Sequence, residues 1–213
     1  MRIAAVLFDL DGTLVDTYTL IFESFRHAAR QVLGRDLTEV QVLARWGLPL
    51  RARFDQVDPQ QVDDLVRAYL AFYEANHDRL AAPFRGVPDL LQALRGWGCR
   101  LAIVTSKRRE TTALALHRFD LGRYFDAVLT EEDVGAVKPA GEPILAALRR
   151  LNVPPARAMM VGDSVVDLRA ARAAGVIGVA ALWGAQDAAS LVGAPHAAHS
   201  PHEIAKLVRS FED

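Results

Sequence analysis

Apolar positions along the chain fall into two rhythms. Short, continuously apolar runs occupy residues 3–8, 101–105, 127–129, 158–161, 176–181 and, more weakly, 196–198. A strand with one wet face alternates apolar and polar residues, whereas one covered on both faces stays apolar, so these runs predict parallel strands inside a layered fold. Between most of them the spacing changes to three and four. Residues 87–97 put Leu90, Leu91, Leu94 and Trp97 on one stripe, and residues 142–151 do the same with Ile144, Leu145, Leu148 and Leu151. Ser200-Pro201-His202-Glu203 has the form of a capping box with proline at the first helical position, ahead of Ile204, Leu207, Val208 and Phe211. Strands alternating with helices predict an α/β fold, a doubly wound (Rossmann-like) parallel sheet with right-handed crossovers.

One interval breaks the alternation. From about residue 16 to about residue 83 no strand is predicted, only helices. The first covers residues 17–33 and ends at Gly34, the second is short and lies near residues 38–44, and the third runs over residues 59–76. Asp58-Pro59 opens that third helix, with Val62, Leu65, Val66, Tyr69 and Tyr73 on one face. A crossover needs only one helix, so three or four predict an inserted all-helical cap. The expected division is a core of residues 1–15 and 84–213 and a cap of residues 16–83.

Composition narrows the function classes. With 213 residues the chain can bury a good core, and its 51% apolar and 24% charged content is ordinary for a globular protein. A net charge of −1 argues against nucleic acid as the main partner. The single cysteine, Cys99, makes no internal disulfide and suits a reducing cytosol. Its neighbours Trp97, Gly98 and Leu101 put it at the lip of a strand as an unreactive thiol. Arg2 ahead of a short apolar run begins like a secretion signal, but Asp9 and Asp11 interrupt it too soon. The run at 176–183 falls far short of the roughly 20 residues of a membrane helix. The expectation is a soluble cytoplasmic protein with no membrane partner; the sequence carries no signal for its oligomeric state.

Four segments carry chemistry. In Phe8-Asp9-Leu10-Asp11-Gly12-Thr13-Leu14 a strand runs into two acids spaced i, i+2, and Gly12 turns the chain. Ligands of open α/β sheets bind beyond the carboxyl ends of strands, so both acids lie on that rim. Such a pair suits a hard cation, or a nucleophile beside a proton donor; a plain strand-to-turn junction uses the same residue types. In Ile103-Val104-Thr105-Ser106-Lys107 a second strand end meets hydroxyls and a helix start, which makes a phosphate seat or an ordinary N-cap. Proline extends the backbone at Lys138 in Lys138-Pro139 and projects its amine away from the local chain. In Val161-Gly162-Asp163-Ser164-Val165-Val166-Asp167 a further strand meets an acid, and a second acid sits in the next helix's first turn, where the helix dipole favours it anyway. Carboxylates brought together from these segments would repel one another, and a divalent cation with a lysine resolves that. Acids, a cation, a lysine and a hydroxyl are the equipment of phosphoryl transfer.

These four segments, in this order, resemble the four motifs of the haloacid dehalogenase superfamily of phosphohydrolases, and the resemblance spans nearly the whole chain. It implies that Asp9 is the nucleophile that forms an aspartyl-phosphate. Asp11 would donate a proton to the leaving oxygen and later help activate water. Thr105 and Lys138 would hold phosphoryl oxygens, with a backbone contact from Ser106. It also implies Mg²⁺ as cofactor, bound by Asp9, Asp163 and the main-chain carbonyl of Asp11, with Asp167 in support. Dehalogenases of the superfamily lack an acid at the Asp11 position, so dehalogenation is not expected.

Gly47-Leu48-Pro49-Leu50, Glu132-Asp133-Val134 and Asn76-His77-Asp78 resemble the phosphoglycolate phosphatase and PpaX-type pyrophosphatase branch. One departure is Ala140-Gly141-Glu142-Pro143 after Lys138-Pro139, where relatives often carry Asp-Pro. The expected partner is a small phosphorylated metabolite such as phosphoglycolate, with pyrophosphate hydrolysis or β-phosphoglucomutase-type transfer as alternatives on the same chemistry. Arg45, Arg51 and Arg53 flank the Gly47–Leu50 segment and are candidates for a second anionic group of the substrate, or form a solvated basic face. Trp46 is core or pocket wall, and Lys107, Arg108 and Arg109 pose the question again, Lys107 first because it adjoins Thr105. A signalling receiver shares the acid–hydroxyl–lysine set, but is shorter and has no insert after its first strand. A catalytically inactive binding protein of this fold usually loses one of the acids, and all are present.

Overall fold

The computed structural model describes residues 2–44 and 46–211. After β1 (Ala5–Phe8) and a two-residue β2 (Val15–Asp16) come four helices, α1 (Tyr18–Leu33), α2 (Glu39–Leu43), α3 (Leu50–Phe54) and α4 (Val62–Leu80), and then β3 (Ala82–Pro83). From there helices and strands alternate: α5 (Val87–Gly96), β4 (Arg100–Val104), α6 (Arg109–Arg118), β5 (Ala127–Leu129), α7 (Glu142–Leu151), β6 (Ala158–Gly162), α8 (Val165–Ala174) and β7 (Ile177–Ala181), closed by β8 (His196–Ala198) and α9 (Pro201–Ser210).

Six strands form one parallel sheet in the order β5-β4-β1-β6-β7-β8. All six predicted strands are present, with ends shifted by at most two residues. Their unbroken apolar character follows from cover on both sides. Val6 and Phe8 of β1, with Ile103 and Met159, pack under Leu91 of α5 and Ile204 of α9. The alternate residues Ala5 and Leu7, with Val104 and Met160, pack against Ile144 and Leu148 of α7 and Ala170 of α8. Each large side chain so buried contributes roughly 1.5–3 kcal/mol over leaving it in water.

α1, α3 and α4 share their own aromatic seam. The Phe25 ring lies 4.5 Å from Phe54 and 5.1 Å from Tyr69, and Tyr69 stacks on Tyr73 at 5.8 Å.

Local chemistry moved several predicted boundaries. The third insert helix begins at Val62 rather than at Pro59, because the Asp58 carboxylate accepts the Gln60 N–H at 2.9 Å and turns the chain first. That helix continues to Leu80, four residues past the predicted end. The interval expected to lack strands is closed by one antiparallel pair, Val15 against Pro83 and Asp16 against Ala82, which ties together the points where the chain leaves and re-enters the sheet layer. Pro83 tolerates this because only two residues pair. At the last helix Pro201 does occupy the first turn, but the Ser200 hydroxyl does not cap it, and Glu203 accepts the His199 N–H at 2.9 Å instead. Cys99 is buried, its Sγ 3.8 Å from the Ile3 carbonyl oxygen. Among the described residues no helix is long and apolar enough to cross a membrane.

Candidate active site

In an all-parallel sheet the carboxyl ends of all strands share one edge. β1 leads into Asp9, β4 into Thr105 and β6 into Asp163, and these are three neighbouring strands. The chain runs outward from β1 through β4 to β5, and then crosses to the other side of β1 to begin β6. Asp9 and Asp163 therefore flank the switch point, where the connections diverge and leave a crevice.

The N–H and both carboxylate oxygens of Asp9 are held. Its N–H donates to the Val161 carbonyl at 3.0 Å, its Oδ1 accepts the Leu10 N–H at 2.7 Å, and its Oδ2 lies 3.0 Å from Lys138 Nζ. The same ammonium donates to Asp167 Oδ1 at 2.6 Å. Ser164 and Asp167 form a capping box at the start of α8, in which Asp167 Oδ2 accepts the Ser164 hydroxyl at 2.5 Å and its N–H at 3.2 Å. Asp163 Oδ1 accepts from the Thr13 hydroxyl at 3.1 Å and Oδ2 from Trp46 Nε1 at 2.9 Å. Two glycines allow this crowding. A Cβ at Gly12, whose φ is +75°, would lie 2.3 Å from Asp163 Oδ2, and one at Gly162 would lie 2.3 Å from Asp167 Cγ.

Asp9, Asp163 and Asp167 each offer an oxygen within 4.8 Å of the others, and all three are buried. Burial, followed by the opposing effects of Lys138 (lowering) and Asp167 (raising), leaves the Asp9 pKa raised to about 6. Burial and then the charges of Asp167 and Asp9 push Asp163 well above the usual carboxylate value. Burial pulls the Lys138 ammonium down, but Asp167 and Asp9 outweigh it and hold its pKa above that of an ordinary lysine. When ionised, three acids and one ammonium leave two negative charges uncompensated, and among the described residues Asp163 has only neutral donors. A hard divalent cation with oxygen ligands fits that donor set and that deficit.

Asp11 points elsewhere. Its two oxygens each accept from Lys107 Nζ at 2.8 Å, and Oδ1 also accepts from the Thr17 hydroxyl at 2.9 Å. Its carboxylate is thus outside the three-acid cluster; the metal contact expected of this residue was through its carbonyl, not its side chain. Lys107 Nζ also donates to the Tyr73 hydroxyl of α4 at 2.6 Å, linking the sheet rim to the helical insert.

Asp9 and Asp11 face one cleft. Thr105, Ser106 and Lys107 form one wall, and Trp46, Arg53, Tyr69 and Tyr73 of the insert form the other. The Ser106 hydroxyl is buried there without a hydrogen-bond partner, while Thr105 Oγ1 accepts the Lys107 N–H at 3.2 Å. α6 begins two residues after Lys107, so this is the approach to a helix N-terminus, as the sequence predicts for a phosphate seat.

The remaining candidate cations separate clearly. Arg51 is exposed and paired with Asp63 at 2.7 Å, Arg109 is paired with Asp133 at 3.1 Å, and Arg108 lies 3.9 Å from Glu110 and 4.0 Å from Glu132. Arg53 is buried on the cleft wall. Arg45 lies outside the described residues. From the sequence no role at the site is expected of Thr13, Thr17, Ser164 or Tyr73. For Ser164 the signal existed, because Ser164-Val165-Val166-Asp167 has the spacing of a capping box. For Tyr73 and Trp46 none did, because their partners are remote in sequence.

Comparison with known proteins agrees with this geometry. Residues 6–181 match the model of the haloacid dehalogenase-like hydrolases. The chain is similar to pyrophosphatase PpaX of Anoxybacillus flavithermus, with 40% identity over 183 residues, 86% of this chain and 85% of the relative. Its fold is similar to a Lactobacillus plantarum crystal structure provisionally described as a phosphoglycolate phosphatase, at 25% identity and a TM-score of 0.88 over 97% of this chain and 100% of that one. It is similar, too, to a haloacid dehalogenase-like family hydrolase from Streptococcus pneumoniae, at 27% identity and a TM-score of 0.84 over 96% and 98% of the two chains. The acids and lysine that converge at the sheet rim stand within the matched residues, and the chain belongs to the haloacid dehalogenase-like hydrolases as an enzyme of their phosphatase kind.

Proposed function

We propose that the protein is a Mg²⁺-dependent phosphohydrolase acting on a small phosphorylated metabolite through an aspartyl-phosphate on Asp9. The observation that carries this reading is the juxtaposition of a fully oriented Asp9 with Asp163, Asp167 and Lys138 around a site two charges short of neutrality. An Asp9 oxygen attacks phosphorus as the bond to the leaving oxygen breaks, and the leaving oxygen takes a proton from Asp11. Water then attacks the acyl phosphate, giving a proton back to Asp11 and restoring the Asp9 carboxylate. Lys138 and the hydroxyls of Thr105 and Ser106 meet the phosphoryl oxygens, the last because its buried Oγ lacks a protein partner. Asp9, Asp163 and the Asp11 carbonyl would hold Mg²⁺, with Asp167 in support, and the bound cation supplies charge neutralisation to the phosphoryl group.

Residues 16–83 act as a cap over a core of 1–15 and 84–213, and the β2–β3 pair marks the crossing between them. The cap excludes water from the leaving-group side of the cleft. Among substrates, the 40%-identical relative named pyrophosphatase PpaX favours inorganic pyrophosphate, with phosphoglycolate as the second reading from the Lactobacillus plantarum structure. Cytoplasmic operation belongs to the same reading and is supported by the lone cysteine.

The test is phosphate release from pyrophosphate, phosphoglycolate and a hexose phosphate, with and without Mg²⁺, in the wild type and Asp9→Asn. Loss of roughly 10³-fold or more in the variant is expected. Full activity in the variant, or equal activity after chelation, sinks the proposal.

A further inference from the structure

Most cations around the cleft already have an acid. Lys107 sits on Asp11, Lys138 on Asp9 and Asp167, and Arg108 near Glu110 and Glu132. Arg53 has no acidic partner among the described residues, although it is only 8% exposed. Its Nη2 donates to the Val42 carbonyl at 2.5 Å, its guanidinium lies 4.2 Å from the Phe25 ring centroid and 5.3 Å from that of Trp46, and its buried Nε has no partner. Burial brings its pKa down to about 10, against a smaller upward pull from Tyr69 and Asp11, so it stays cationic at neutral pH. A buried guanidinium without a carboxylate is rare, because its desolvation is costly. Ring stacking offsets part of that cost and leaves the charge itself unanswered. The side chain lines the same cleft as Asp9, Asp11 and Ser106, opposite the wall where the phosphoryl group would be seated.

We propose that Arg53 receives a second anionic group of the substrate, phosphoryl or carboxylate, so that the enzyme selects compact phosphate compounds bearing one and turns over poorly those that lack it. This rests on the phosphohydrolase reading above and adds what that reading leaves open, a residue that reads the leaving group. A site built to pair with a charged group of its substrate discriminates strongly against analogues without it, since the buried donor is then left unpaired. Arg51, two residues away in the same short helix, cannot serve, because it is exposed and already paired with Asp63.

The experiment compares kcat/KM, with Mg²⁺ present, for pyrophosphate, 2-phosphoglycolate, ethyl phosphate and p-nitrophenyl phosphate in the wild type, Arg53→Met and Arg53→Lys. Wild type is expected to prefer at least one of the two substrates that carry a second anionic group over ethyl phosphate by about 100-fold or more, and Arg53→Met to shrink that ratio by at least about 30-fold, mainly through KM, with part restored in Arg53→Lys. Preference for pyrophosphate marks the second group as phosphoryl, and preference for phosphoglycolate marks it as carboxylate; either supports the assignment. Parallel loss on all four substrates in Arg53→Met would make Arg53 a structural residue and overturn it. Should Arg53→Met fail to fold, the wild-type ratio decides alone: ethyl phosphate turned over as well as phosphoglycolate and pyrophosphate refutes the inference while leaving the phosphohydrolase reading intact. No hydrolysis of any of the four removes both.

Discussion

Two acid–lysine clusters lie a few residues apart on the same sheet rim, and they are built differently. Asp9, Asp163, Asp167 and Lys138 form the inner one, in which Lys138 is 1% exposed and acids outnumber cations. Asp11 and Lys107 form the outer one, matched one to one and closed by the Tyr73 hydroxyl from the helical insert. The inner cluster is organised mainly by strand ends, one loop lysine and one helix cap, with a single contact from the insert, Trp46 Nε1 on Asp163 Oδ2, so most of its geometry is set before any ligand arrives. The outer cluster is shared between the sheet rim and the insert, so its geometry depends on how those two segments meet. Charge excess suits the first to a cation and a phosphoryl group; balance suits the second to holding the insert in position.

The sharpest way to break this contrast is to remove each lysine. Lys138→Met leaves three buried acids with no cation, and breaking a buried pair costs roughly 3–5 kcal/mol in the metal-free protein. Lys107→Met removes the partner of a single acid that keeps some opening to solvent, and costs less, about 1–3 kcal/mol. Urea denaturation of both variants, with and without Mg²⁺, measures the difference. Equal losses would mean that the two clusters are energetically alike.

Acidity gives the next largest effect, and its sign is the reverse of the usual carboxylate case. In the metal-free fold the Asp9 pKa is raised from 3.8 to about 6, so between those values the native chain holds a proton that the unfolded chain has released. Where the folded state binds more protons, stability falls as pH rises, here by roughly 2–3 kcal/mol across pH 4–6 if Asp9 acts alone. Chelated protein should therefore show a higher unfolding midpoint near pH 4.5 than near pH 7, once other titrations are removed by reference to Asp9→Asn. Mg²⁺ should flatten the slope. A metal-free midpoint that rises through this window, with no difference in Asp9→Asn, contradicts the inner-cluster electrostatics.

Asp163→Asn follows with a smaller effect of opposite sign on two measurements. Among the described residues Asp163 is the inner acid without a cationic partner, its side chain held by Thr13 and Trp46. Neutralising it should stabilise the metal-free protein by about 1–2 kcal/mol while weakening Mg²⁺ binding by roughly 10–100-fold. Thermal unfolding and calorimetric titration of Mg²⁺ report the two. Destabilisation without metal would show that Asp163 is worth more as a hydrogen-bond acceptor than it costs as a charge.

What the sequence made legible follows the same division. Asp9 and Asp163 of the inner cluster are legible because strands buried on both faces announce themselves as apolar runs and their carboxyl ends fix which acids share a rim, whereas Lys138 in its loop and Asp167 in a helix's first turn stand out through the resemblance of their segments to the family's motifs. Helices with long stripes, such as α1 and α7, were legible for a related reason. The five-residue α3 was not, since it is too short to display a period. The β2–β3 pair was missed because two residues carry no alternation and one of them is proline. Trp46 on Asp163 and Tyr73 on Lys107 were invisible for a different reason: each contact joins elements that packing brings together, and no local rule specifies the partner. The three arginines near Gly47 looked equivalent in the sequence, and only burial separates Arg53 from the exposed Arg51.

The smallest expected effect tests the outer cluster's link to the insert. Tyr73→Phe removes the hydroxyl that accepts from Lys107 Nζ at 2.6 Å, but keeps the ring, whose centroid is 4.5 Å from that ammonium. Burial, then the Asp11 charge, raises the Tyr73 pKa well above that of an ordinary tyrosine, so its hydroxyl stays neutral and the lost contact is one charge-assisted hydrogen bond. Lys107 keeps both Asp11 oxygens, so the loss should be about 0.5–1.5 kcal/mol, with KM changed by less than about threefold. Because Tyr73 and Lys107 touch, a double-mutant cycle of Tyr73→Phe with Lys107→Met should give a coupling of about 0.5–1 kcal/mol, whereas the cycle of Tyr73→Phe with Lys138→Met should give a coupling near zero, since no shared partner joins those two. Comparable coupling in both cycles would mean that the two clusters form one network, and the division between a fixed inner site and an adjustable outer one would fail.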